Sequence, residues 1–141
     1  GKKELLWIPM LGPMFKAAGV IFIDRSNRAK AIEALKPAVQ ALREGMSLAI
    51  APEGTRSPTP RLGPFKKGAF HIAMQAGVPI VPIVFRNALD ALPRGGLVVR
   101  PATIEAVVLP PVDTSEWKRE NLSEEIAAIH AQYIDVLEGV A

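Results

Sequence analysis

The residues best suited to chemistry fall together in Ala51-Pro52-Glu53-Gly54-Thr55-Arg56-Ser57, which places a carboxylate, a glycine, a hydroxyl and a guanidinium in one short run. That set suits an anion. Gly54 lets backbone approach a ligand, Thr55 can donate a hydrogen bond, and Arg56 offers a planar fork to two phosphate oxygens. Glu53 repels a phosphate, but it can orient Arg56 or accept from a substrate hydroxyl. The same composition also describes an arginine-bearing loop tied down by an ion pair. Asp24-Arg25 is a second candidate, with a plain surface pair as its competing reading. If Arg25 and Arg56 converge at one edge of a sheet, their repulsion demands an anion or carboxylates between them.

Charge along the chain favours an anion in the same place. Residues 54–104 carry seven basic groups (Arg56, Arg61, Lys66, Lys67, Arg86, Arg94 and Arg100) against Asp90 alone, a net +6. Residues 105–141 carry a net −6, and the whole chain only +3. A phosphate, an anionic lipid surface or nucleic acid would satisfy this attraction, and so would a solvated basic face. Aromatics make up 6% of the chain and no run of them lies beside the arginines, so a stacking platform for nucleic acid is not expected. With no cysteine, the chain has no disulfide and no thiolate nucleophile. His71 and His130 are the two imidazoles, far apart in sequence, and no metal is expected. Leu5–Phe15 is interrupted by Pro9, Gly12 and Pro13 and is shorter than the ~20 residues that cross a bilayer; it suits a membrane surface or internal packing.

The elements that must position these residues are legible as an alternation. At 141 residues and 49% hydrophobic, the chain is read as a single domain over 1–141, truncated at its N-terminus. Pro13–Ala18 reads as a short helix and Val20–Ile23 as a strand running into Asp24-Arg25. From Asn27, Ile32, Leu35, Val39 and Leu42 recur at helical spacing up to Gly45, with Pro37 expected to bend the helix. Ser47–Ala51 reads as a buried strand, Pro52–Pro64 as a loop, Lys67–Ala76 as a helix closed by Gly77, and Val78–Phe85 as a strand despite Pro79 and Pro82. Leu97–Arg100 and Thr103–Leu109 read as later strands. Glu116–Arg119 begins an acidic helical tail, and Ser123 caps an amphipathic helix with Ile126, Ile129, Tyr133 and Leu137 on one stripe. Apolar strands joined by helices predict an α/β fold with a mixed, largely parallel sheet flanked by helices.

Four of these blocks, in order, resemble the glycerolipid acyltransferases: Gly19-Val20-Ile21-Phe22-Ile23-Asp24-Arg25, Pro52-Glu53-Gly54-Thr55-Arg56-Ser57, Phe65-Lys66-Lys67-Gly68-Ala69-Phe70 and Val78-Pro79-Ile80-Val81-Pro82-Ile83. They are most similar to the type acting on 1-acyl-glycerol-3-phosphate. The resemblance covers roughly residues 3 to 86 and is looser beyond. It implies a glycerol-3-phosphate acyltransferase-like fold, and transfer of a fatty acyl group from acyl-CoA or acyl carrier protein to the hydroxyl of lysophosphatidate, giving phosphatidate in phospholipid biosynthesis. It further implies that Arg25, Glu53, Gly54, Thr55 and Arg56 bind the glycerol phosphate, with Lys66 and Lys67 as weaker phosphate ligands. Pro79 and Pro82 would shape the floor of the site, Pro82 structurally. The acyl donor is a substrate, and no cofactor is implied. The implied location is the cytoplasmic side of a membrane, reached peripherally or through a preceding anchor.

The chain departs from the family pattern in one respect that concerns the chemistry. The block Asn-His-x-x-x-x-Asp, which supplies the general base and its carboxylate, should precede Gly19, and no histidine stands there. The pattern His130-Ala131-Gln132-Tyr133-Ile134-Asp135 is not a substitute. It follows the other blocks, lacks the Asn, and a five-residue separation on a helix turns the side chains ~140° apart. His130 and His71 are read as structural helix residues, and no catalytic residue is assigned in this chain. Ala51, where many members carry an aromatic residue, is a milder departure. The segment alone is therefore expected to be inactive. The alternative is a non-catalytic acyltransferase-like module that binds anionic lipid or lysophospholipid.

Overall fold

A computed structural model of the protein describes residue 33 and residues 35–54, 61–91 and 100–139. The chain divides into two compact units, Gly1–Leu48 and Ala49–Ala141.

In the first unit, helix α1 spans Lys36–Arg43. Pro37 stands in its first turn, where a missing N–H is tolerated and the fixed φ suits helix entry, and the helical assignment is interrupted at Leu35, between Glu33 and this helix, as expected of the proline. Of the expected stripe, Val39 is buried and Leu35 and Leu42 are half-buried, whereas Ile32 lies outside the described residues. Gly45 closes the helix at φ 89, with Gly45 N–H on the Leu42 carbonyl and Met46 N–H on the Ala41 carbonyl, the paired bonds of a Schellman turn. At its other end Glu33 meets Lys36 at 2.8 Å, which lowers the carboxyl pKa and raises that of the ammonium.

The second unit contains α2 (Lys67–Ala76), β1 (Ile83–Phe85), α3 (Ala88–Ala91), β2 (Ala106–Val108) and α4 (Leu122–Glu138). α2 ends where the sequence predicts, on Gly77 at φ 69. Its Phe70 packs with Trp117 and with Leu122, Ile126 and Ile129 of α4. Phe65, Met74, Ile80, Val112 and Tyr133 close over this cluster. α4 begins at Leu122, after the helical tail expected from Glu116 and before the expected cap at Ser123. Glu116–Arg119 form turns, and Asn121 rather than Ser123 is the N-cap residue, its side-chain oxygen accepting from Lys118 N–H outside the helix. Glu124 and Glu125 in the first turn complement the positive end of the helix dipole.

β1 and β2 pair antiparallel, Ile83 opposite Val108 and Phe85 opposite Ala106. The pairing resumes at Ile80 and Val112 with two bonds of 2.9 and 2.7 Å. Ile80 is three residues from Ile83 but Val112 is four from Val108, so the Leu109–Pro111 side carries one extra residue, a bulge. Pro82 sits opposite it, buried, accepting Leu109 N–H but with no N–H of its own. This is why the predicted Val78–Phe85 strand shortens to Ile83–Phe85 plus one bridge. Thr103–Leu109 shortens likewise to Ala106–Val108, and 97–99 lie outside the described residues. Asn87 ties the connection between the strands, donating to Thr103 O and accepting from Glu105 N–H.

The unit is thus α/β, and every strand pair among its described residues is antiparallel. Val20–Ile23 lies outside the described residues. Ser47–Ala51, expected as a buried strand, joins no ladder among the described residues and is exposed, with Leu48 at 36% and Ile50 at 44%. An apolar run becomes a strand only when a neighbour takes its backbone hydrogen bonds, and none among the described residues does.

Candidate functional site

Of the residues nominated from sequence, Arg25, Thr55 and Arg56 lie outside the described residues. Glu53, Gly54, Lys66, Lys67, Pro79 and Pro82 are described, and the Ala49–Ala141 unit places the first four around one loop. Gly54 adopts φ 70, the left-handed region that glycine enters without steric cost, and donates to the Ala51 carbonyl across a tight turn. The turn leads out of the loop's first limb. The second limb returns alongside it, where Lys66 N–H donates to the Pro52 carbonyl at 2.8 Å. Between them Glu53 Oε2 accepts from Gly63 N–H at 2.9 Å. The segment carrying Thr55 and Arg56 is therefore bounded by limbs stitched together at both levels.

Glu53 uses one oxygen on its own loop, a part that neither proposed role anticipated. Glycine at 63 is what permits it, because a Cβ there would stand 3.0 Å from Glu53 Oε2. Gly63 also offers its carbonyl to His130 Nε2 at 3.1 Å. A carbonyl only accepts, so the proton resides on Nε2. His130 lies half-buried on α4, as its helical position predicts, with the Phe65 ring edge-on to it at 4.8 Å. Phe65 in turn packs edge-on to Tyr133 at 5.1 Å and stacks on Phe70. Tyr133 Oη accepts from Ile83 N–H, and burial raises the phenol's pKa.

The two lysines stand at the start of α2 and behave differently. Lys66 is the exposed, extended N-cap residue, and no side chain caps the helix there. Lys67 Nζ donates to Ser123 Oγ at 2.8 Å, joining α2 to α4. The N-terminal end of α2 carries no acidic residue in its first turn, leaving its dipole and both lysines favourable to an anion. Pro79 is exposed and Pro82 buried at the sheet bulge. One turn along α2 from Lys67, His71 is held below its ordinary pKa by burial first, then by Arg119 and Lys67. A surface cleft of about 320 Å³, lined by Leu109, Pro110, Pro111, Val112, Gln132, Asp135 and Val136, contains none of the nominated residues. Among the described residues no helix is long and apolar enough to cross a membrane.

Sequence reasoning missed Gly63 and His130. Leu62-Gly63-Pro64 signals a turn, but nothing in its spacing points to a helix 67 residues downstream.

Residues 1–86, which hold all four blocks, match the family described as Acyltransferase. The chain belongs to the acyltransferase family. It is 44% identical to the 1-acyl-sn-glycerol-3-phosphate acyltransferase of Cocos nucifera, over 96% of this chain and 44% of that protein. It is 38% identical to the protein of that name from Escherichia coli K12, over 88% of this chain and 50% of the other. The crystal structure of the 1-acyl-sn-glycerophosphate (LPA) acyltransferase PlsC from Thermotoga maritima superposes with a TM-score of 0.81 at 27% identity, over 99% of this chain and 55% of that one. The chain thus spans about half the length of the curated relatives it matches.

Proposed function

We propose that this acyltransferase-family chain supplies the acceptor-phosphate site of a 1-acyl-glycerol-3-phosphate acyltransferase. The observation that carries the reading is the stitched Glu53–Gly63 loop, which brackets Thr55 and Arg56 and returns directly into Lys66 and Lys67. The names of the relatives supply the substrate class. Arg56 and Arg25 grip the phosphate, Gly54 and Thr55 offer donors, and Lys66 adds charge at the helix start, with Lys67 weaker because Ser123 already engages it. Pro79 and Pro82 shape the floor. Beyond the antiparallel β1–β2 pair, the sheet of this fold is largely parallel and flanked by helices.

In this reading the acyl donor is acyl-CoA or acyl carrier protein, with no further cofactor, and the protein works at the cytoplasmic surface of a membrane. The acceptor hydroxyl oxygen attacks the thioester carbonyl carbon, the C–S bond breaks, and the thiol leaves with a proton. Removing the hydroxyl proton requires a base, which contributes ~100-fold or more, and no residue of this chain is assigned that role.

The test is an acyl-transfer assay with 1-acyl-glycerol-3-phosphate and acyl-CoA, following phosphatidate and free thiol together. The intact protein, with whatever sequence precedes Gly1, is expected to form both in equal amounts, and residues 1–141 alone neither. Binding of the lysophospholipid without phosphatidate from the intact protein would replace this reading with a non-catalytic lipid-binding module.

A further inference from the structure

We propose that His130 is a positioning residue for the Glu53–Gly63 loop, and that acceptor affinity depends on its bond to the Gly63 carbonyl. The inference rests on the phosphate-site reading above and deepens it.

Gly63 is held from both sides. Its N–H donates to Glu53 Oε2 at 2.9 Å, and its carbonyl accepts from His130 Nε2 at 3.1 Å. A continuous path therefore runs from Glu53, beside Gly54, through Gly63 to α4. The imidazole is itself held in place, because Phe65 meets its face at 75° from the same return limb and joins the α2–α4 cluster through Phe70. The ring thus does two separable things: it packs on Phe65, and it donates to Gly63. Both touch the return limb, but only the second reaches Gly63 and, through it, Glu53. Among the described residues no carboxylate pairs with His130, and Asp135 lies on a different side of the helix.

The separation allows a direct test in the intact protein. His130→Phe keeps an aromatic ring against Phe65 but has no donor, and His130→Gln keeps a donor of similar reach. Hydrogen exchange at the Gly63 amide reads the loop without reference to activity, and the split between KM and kcat for 1-acyl-glycerol-3-phosphate reads its consequence. Loss of one hydrogen bond predicts that His130→Phe speeds Gly63 exchange and raises KM, each about two- to tenfold, with kcat unchanged. His130→Gln should restore both. Unchanged exchange in His130→Phe would overturn the proposal, and so would faster exchange with an unchanged KM, or a kcat that collapses in both variants. Arg56→Ala run in parallel keeps the two readings apart. If it leaves KM unchanged, the phosphate assignment fails, while the exchange result still decides whether His130 holds the loop.

Discussion

Two regions of the Ala49–Ala141 unit present the proposed site, and they are held by opposite means. The α2–α4 pair is held by burial: Phe70, Trp117, Leu122, Ile126 and Ile129 are each below a tenth exposed. Among its described residues, the Pro52–Lys66 loop contributes one partly buried aromatic, Phe65, to that core and is tied by polar contacts that include Glu53 to Gly63, Lys66 to Pro52 and Gly63 to His130. Burying one large apolar side chain is worth about 1.5–3 kcal/mol, against about 0.5–1.5 kcal/mol net for an ordinary hydrogen bond. The helices therefore carry stability and the loop carries binding, and changes in each should be felt differently.

The largest effect should come from Leu122→Ala, at a side chain only 1% exposed in the middle of the cluster. It should cost about 2–5 kcal/mol in denaturant unfolding, with ligand affinity intact at temperatures where the protein stays folded. A cost below about 1 kcal/mol would show that α4 is not the anchor. A smaller effect on stability and a larger one on binding are expected from Gly63→Ala. The new methyl meets Glu53 Oε2 at 3.0 Å, and the flexible carboxylate can swing aside only by giving up its bond to the loop. Thermal unfolding should register about 1 kcal/mol, and titration with lysophospholipid a clear loss of affinity. The reverse pattern would merge the two regions into one.

The smallest effect concerns pH. Burial, then Arg119 and Lys67, hold the folded His71 below 6.5, so the unfolded chain takes up this proton at a higher pH than the folded protein. Stability from this group is complete above pH 6.5 and declines as pH falls from there through the folded pKa. His71→Gln should flatten that part of the stability profile measured by urea unfolding; an unaltered slope would assign it to other groups.

The same contrast explains what the sequence disclosed. α2 was legible to its last residue because an apolar face, a run without proline and Gly77 all agree, and Ile126 and Ile129 followed from the period of α4. Ser123 misled because the sequence shows a residue's type and not its place relative to the cap: Asn121 precedes the helix, and the serine accepts from Lys67. The antiparallel register of β1 and β2 was not legible, since an apolar run does not name its partner. Nor was the Glu53–Gly63–His130 path. The Pro52–Arg56 block announces an anion site by composition, but the bonds that shape it join positions 10 and 67 residues apart.

The most direct test of the phosphate site is calorimetric titration of the protein with short-chain 1-acyl-glycerol-3-phosphate and with the matching 1-acyl-glycerol, before and after Arg56→Ala. Two charge-assisted hydrogen bonds to the phosphate predict that the phosphorylated lipid binds about 100-fold tighter or more, and that the substitution removes most of the difference. Equal affinity for the two lipids, or a preference that survives Arg56→Ala undiminished, would contradict the account.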